Sequence, residues 1–326
     1  MSDRPSRAKL LAAYATVYVV WGSTYLAILY GLETLPPFLM GAARFLVAGS
    51  LLAGWAILRG APRPTRGQLA AAAIVGAFLL LGGNGAVLWA EQRVPSGIAA
   101  LLVAVLPLWM VILERAGPDR KRPSRRTLLG VLIGIVGLVV LIGPSAIVGD
   151  GNVPVLGAVV LLLGSLSWGI GSLYASRAAL PESPHLTSGV EMLAGGVLLG
   201  ALGLAVGESP AAAVRGVSTA SLVALAYLVV FGSLVAFSAF AWLLRVEPPS
   251  RVATYAYVNP VVAVLLGWAI AGEPMTAQTL AAAAIIVGAV ALIVSGKRRE
   301  PPATATPAPV AERAPADAAP RTSRVA

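Results

Sequence analysis

The chain has 326 residues, of which 58% are hydrophobic and 12% charged, with a net charge of +10 and a mean hydropathy of +0.84. A soluble domain is about 25% charged, so this composition excludes one. With no cysteine, disulfide and thiolate chemistry are excluded too.

Apolar runs of roughly 20 residues, the length that spans a bilayer core, divide almost the whole chain. A basic lead, Met1 to Lys9, precedes span 1 at Leu10–Gly31, which reads as a retained helix and not a cleaved signal. Span 2 is Pro37–Leu58, span 3 Leu69–Glu91, span 4 about Val94–Leu113 and span 5 Leu128–Val148. The linker GDGNVP then separates the halves. Spans 6 to 10 follow at Val155–Ala175, Leu186–Val206, Thr219–Leu244, Val252–Gly272 and Ala277–Gly296. The tail from Lys297 is rich in Pro and Ala and is expected to be disordered.

Ten spans put both termini on one side. Of the 24 Lys and Arg, 21 fall in the termini and the loops after spans 2, 4, 6 and 8, against Arg93 and Arg215 on the other side. Excess Lys and Arg marks the cytoplasmic face, so both termini are expected there. The same placement explains the basic balance without nucleic acid.

The stretch Trp21–Leu52 recurs 147 residues later as Trp168–Leu199. Trp21 falls on Trp168, Pro37 on Pro184, Gly49 on Gly196, and Arg44 on Glu191. Further on, Trp89 matches Trp242, Pro95-Ser96 matches Pro249-Ser250, Gly137 matches Gly288, and Pro107 matches Pro260 one residue out of register. Five spans per repeat turn the second copy upside down. The expected fold is therefore all-α and integral to the membrane, with ten transmembrane helices arranged as two inverted five-helix repeats, at 10–148 and 155–296. Such folds place a substrate path at the repeat interface near the midplane.

These residues resemble a family. WGSTYLAI in span 1, LPPFLMGAARFLVAG in span 2, the Pro-Ser start of span 4 and ATYAYVNPVVAVLLGW in span 9 are similar to the EamA branch of the drug/metabolite transporter superfamily. The resemblance covers about residues 10 to 296. It implies a multi-pass carrier of the bacterial inner membrane, usually an exporter of metabolites or amino acids. It also implies a cavity lined mainly by spans 1, 3, 4, 6, 8 and 9.

Several residue groups are candidates for the path. Tyr14, Tyr18, Trp21 and Tyr25 form one helical stripe; Trp21 and Tyr25 lie too deep for interfacial anchoring and read as cavity lining, with a packing seam as the alternative. Tyr255 and Asn259 share a face of span 9 beside Pro260, which frees the carbonyl four residues back. Asn84, within GGNG, is a hydrogen-bond donor in an apolar helix and not part of a phosphate loop. Trp168 and Ser238 are weaker lining candidates, with Trp89 and Trp242. Pro107 and Pro260 are expected hinges.

Charges inside spans face protein or water. Arg44 and Glu191 read either as gating charges on opposite sides of the midplane or as structural charges holding their own repeats. Glu191 reads as the one acid inside a span, and so as a candidate proton carrier. The glycines of GVLIGIVG (Gly130, Gly134, Gly137) read as repeat packing, with a homodimer face as the alternative. A lone His185 and no cysteine leave no metal site and no cofactor is expected.

The expected partners are a small-molecule substrate and the lipid bilayer, and the expected function is secondary transport. An integral-membrane enzyme would need clustered acids or metal ligands. A passive channel would need a continuous polar pore. A scaffold would carry no flux. The sequence favours none of these.

Overall fold

In the computed structural model the described residues are 6–116, 124–142, 154–247, 252 and 255–295. Most of the linker, the middle of the most basic loop, Pro249-Ser250 and the tail expected to be disordered lie outside them, as does the side chain of Tyr257.

Every regular element among the described residues is helical. The first repeat holds α1 (Arg7–Leu32), α2 (Pro37–Leu58), α3 (Arg66–Ala90), α4 (Ser96–Val103), α5 (Leu106–Ala116) and α6 (Arg125–Ile142). The second holds α7 (Val155–Ala175), α8 (Pro184–Ala205), the short α9 (Pro210–Arg215), α10 (Thr219–Leu243), α11 (Tyr255–Ala271) and α12 (Ala277–Ser295). Six of these, α1, α2, α3, α7, α8 and α10, are long and apolar enough to cross a membrane. Shorter apolar helices, Ser96–Met110, Leu128–Gly137, Val258–Ala271 and Ala277–Ala289, stand where the other four spans are expected.

Local chemistry sets the ends. Pro37 and Pro184 open α2 and α8, where a missing N–H costs nothing. Thr65 and Gln68 form a reciprocal capping box at the start of α3. Ser218 Oγ accepts from the Ser221 amide at 3.1 Å to start α10.

Span 4 breaks into α4 and α5 just before Pro107, with a turn at Ala104 and Val105. A proline cannot donate to the carbonyl four residues back and collides with it. That carbonyl belongs to Val103, and Ser165 Oγ of α7 donates to it at 3.2 Å. By contrast, Pro260 sits inside a continuous α11.

Two departures from regular α-helix were not read from the sequence. α3 widens to π-type hydrogen bonding over Ala77–Asn84, and α10 does so over Leu228–Val235. Each stretch occupies the corresponding place in its repeat.

The repeats pack by exchange. α1 packs on α10 and α11, and its counterpart α7 packs on α3, α4 and α5. α2 packs on α8, and α6 on α12. Gly134 and Gly137 thus meet Ala289 and Ile286 of α12 within the same chain.

The α2–α8 crossing shows the geometry most clearly. A Cβ added at Gly49 would lie 3.0 Å from Leu193 Cγ, and one at Gly196 would lie 2.9 Å from Leu46 Cγ. Gly189 faces Ala53, and Gly200 faces Ala42. The 147-residue offset swaps the members of each pair. Partners descend along α8 as they ascend along α2, so the two helices run antiparallel about a local two-fold.

Two carboxylates of the second repeat hold helix starts of the first. Glu208 accepts from the amides of Phe38 (3.1 Å) and Leu39 (2.8 Å) at the start of α2. Glu273 accepts from Ser96 (2.6 Å) and Gly97 (3.1 Å) at the start of α4. A carboxylate there satisfies orphan donors and complements the helix dipole. The position matching Glu208 in the first repeat is Ala61, so this clamp exists at one end of the molecule only.

Two outcomes are expected. Gly49→Ala should lower the melting temperature in detergent, because its Cβ would sit 2.9 Å from both the Gly189 carbonyl oxygen and the Leu193 amide, an overpacking worth about 1–3 kcal/mol; Gly54→Ala, which meets no atom within 4 Å, should not. Glu208→Ala should cost about 1 kcal/mol, read as a fall in melting temperature, with Glu208→Asp losing less.

Candidate functional site

A cavity of about 90 Å³ lies between the repeats, lined from α1, α2, α3, α4, α5, α7, α10 and α11. Of the residues expected to line a path, Trp21, Tyr25, Asn84, Trp168, Tyr255 and Asn259 all border it. Ser238 is half-buried and lies outside the lining. A larger depression of about 470 Å³ opens at the end of α2 beside Arg59 and His185, away from this cavity.

Trp21 is the centre of the aromatic wall. Its ring meets Tyr255 edge-on at 5.2 Å and Trp168 edge-on at 6.1 Å. Phe240 packs at 4.9 Å. Such tilted and edge-on pairs are the favoured aromatic geometry. The Trp21 indole N–H donates at 3.1 Å to the carbonyl of Gly232, inside the π-type stretch of α10. On the opposite side, Ser167 Oγ donates at 2.8 Å to the carbonyl of Phe78, inside the π-type stretch of α3. In both cases an irregular turn is tied by a side chain of the other repeat.

Asn259 serves a similar end. Oriented so that its nitrogen donates, the amide reaches the Tyr18 carbonyl at 3.0 Å and the Tyr255 carbonyl at 3.2 Å. Its nitrogen is therefore occupied with the α1–α11 junction. Asn84 reaches the Leu79 carbonyl only at 3.5 Å, a weak bond that leaves its amide toward the cavity. Thr24 and Ser165, which the sequence reading passed over, also border the cavity; both hydroxyls donate to backbone carbonyls, Thr24 to Trp21 at 2.6 Å.

The two charges inside spans part company. Arg44 is 6% exposed and lines the cavity. Its Nε donates to Ser233 Oγ at 2.9 Å, and its guanidinium lies 4.7 Å from the centre of the Phe45 ring. Gly232 leaves room for it, since a Cβ there would come within 2.9 Å of a guanidinium nitrogen. Among the described residues no carboxylate pairs with Arg44. Glu191 is equally buried but lies outside the cavity, where its backbone packs against Gly76 of α3.

Glu191 is joined by a second buried acid, at a helix end. Glu91, at the end of α3, is 4% exposed. The sequence placed it at a helix end, where a carboxylate would reach water; the packing of the neighbouring helices closes over it instead. Among the described residues no cluster of three potential metal ligands occurs.

The EamA-like transporter family model matches the chain twice, over residues 9–143 and 155–295. An inner membrane transporter of Escherichia coli K12, YedA, is 40% identical over 289 residues, covering 88% of this chain and 91% of the relative. A probable amino-acid metabolite efflux pump of Salmonella typhimurium is 25% identical, covering 86% of this chain and 93% of that protein. A solved crystal structure shares the fold with a TM-score of 0.62 at 21% identity, over 88% of this chain and 98% of the other. The doubled helical repeat, the cavity at its interface and these matches together place the chain in the EamA-like transporter family.

Proposed function

We propose that this protein is a secondary carrier of the bacterial inner membrane, with ten spans in two inverted repeats and both termini cytoplasmic. It exports small amphipathic metabolites that bear a carboxylate, amino acids among them, by alternating access. The observation that carries the substrate class is Arg44. A buried cation without a counter-charge is costly; Arg44 has none among the described residues and faces a cavity. Its guanidinium suits a carboxylate in bidentate fashion. Opposite it, the Trp21, Tyr25 and Tyr255 rings offer apolar faces with polar tips to a hydrocarbon or aromatic moiety. One cation suits one carboxylate better than a multiply charged phosphate ester. The amino-acid efflux assigned by name to the Salmonella relative points the same way.

The cavity of about 90 Å³ is smaller than the roughly 300 Å³ or more of a ligand pocket. The carrier must therefore open to load. The break between α4 and α5 at Pro107 and the proline within α11 at Pro260 supply hinges, and the clamps at Glu208 and Glu273 hold one end shut.

The test is counterflow in proteoliposomes with labelled L-amino acids and the matching decarboxylated amines. Saturable counterflow of the acids but not the amines is expected. Non-saturable conductance would indicate a channel instead, and no flux with any probe would remove the carrier reading. Arg44→Gln should weaken substrate binding by about 2 kcal/mol, roughly thirtyfold, with Arg44→Lys retaining part. Trp21→Ala should raise the half-saturation concentration for aromatic more than for small amino acids.

A further inference from the structure

Both carboxylate oxygens of Glu91 and the hydroxyl of Ser96 are buried without a hydrogen-bond partner among the described residues. The two residues are 4% and 0% exposed. Glu91 caps the C-terminus of α3, and Ser96 begins α4 across a tight turn. At this end of the molecule Glu273 of the second repeat clamps the start of α4.

Among the described residues nothing offsets an ionised carboxylate here. It stands at a helix C-terminus, where the dipole opposes negative charge. Glu273 is within electrostatic reach and adds a second negative charge. The oxygens of Glu273 are already spent on the amides of Ser96 and Gly97. Arg93, two residues on, is exposed, lies 4.4 Å over the Trp89 ring and donates to the Trp89 carbonyl. α2 packs nearby, but its one charge, Arg44, is held at the cavity by Ser233. The start of α7, which touches Val94 through Gly157, carries no titratable group. Tyr25 of α1 lies within electrostatic reach of Glu91 and lines the cavity. A metal cation would need several oxygen ligands, which the committed Glu273 cannot supply. A proton needs none.

We propose that Glu91 is the proton-coupling site of the carrier. The inference rests on the transporter reading above. When the clamp end opens, a hydronium ion from the aqueous phase gives its proton to the Glu91 carboxylate: one hydronium O–H bond breaks, the carboxyl O–H bond forms, and water is left. The clamp then closes over the neutral acid. When the opposite end opens, that O–H bond breaks and the proton passes to water in the cavity beside Tyr25. Proton entry in this direction drives substrate the other way, and no further reactant is required. The position matching Glu91 in the second repeat is Leu244, so the device occurs once, at the clamped end.

Two measurements on the full chain decide the matter. Dicyclohexylcarbodiimide modifies protonated carboxyls in apolar surroundings. Peptide mass spectrometry should find it on Glu91 in acid buffer, with loss of labelling in alkaline buffer and in Glu91→Gln, and with Glu273 unlabelled. In proteoliposomes, an L-amino acid that shows counterflow should accumulate against its gradient when a pH gradient is imposed. Glu91→Gln should abolish that accumulation yet keep counterflow, and Glu91→Asp should restore part of it. Retained counterflow shows that the variant folds. Undiminished accumulation in Glu91→Gln, accumulation driven by sodium alone, or absence of labelling overturns the proton site and leaves the carrier intact. Absence of counterflow by the wild type with every probe overturns the carrier reading and this inference with it.

Discussion

A carbonyl oxygen that loses its helical N–H inside hydrocarbon must find another donor. Among the described residues, three carbonyls at irregular turns take a donor from the other repeat. Pro107 frees the carbonyl of Val103, and Ser165 meets it. The π-type stretches of α3 and α10 present the carbonyls of Phe78 and Gly232, and Ser167 and Trp21 meet them. Irregular backbone at membrane depth is tolerated only where it is buried in protein or lines a cavity. The irregular turns therefore gather around one cavity, and the same bonds that make them tolerable hold the repeats together.

Those bonds also shape the site. Trp21 is fixed by its indole N–H, so its faces are presented in one orientation to Trp168, Phe240 and Tyr255. Arg44 is fixed by one bond through Nε to Ser233, which leaves the terminal nitrogens of the guanidinium to the cavity. These contacts run between the repeats, so the cavity and the repeat interface share the same few side chains.

The chemistry departs from the two-fold that the backbone follows. Gly49 and Gly196, with their reciprocal leucines, obey it closely. The carboxylates do not. Glu208 stands where the first repeat has Ala61, and Glu91 where the second has Leu244. Arg44 faces the cavity, whereas its counterpart Glu191 packs against α3 outside it. A nearly symmetric frame thus carries an asymmetric set of charges.

Much was legible in the sequence because the bilayer imposes length and apolarity directly on the chain. Run lengths, proline positions and the 147-residue repeat are local or periodic features that survive without coordinates. The aromatic stripe through Trp21 and Tyr25 was legible for the same reason, since helical period alone aligns it. What only the tertiary structure decided is which polar groups are closed off and by what. No local pattern announces that Ser233 would hold Arg44, that Glu273 would cap α4 from the far repeat, or that packing would seal Glu91 at a helix end. The first two depend on contacts between residues 189 and 177 apart, and burial of a charge is a property of its neighbours in space, which the order of residues along the chain does not state.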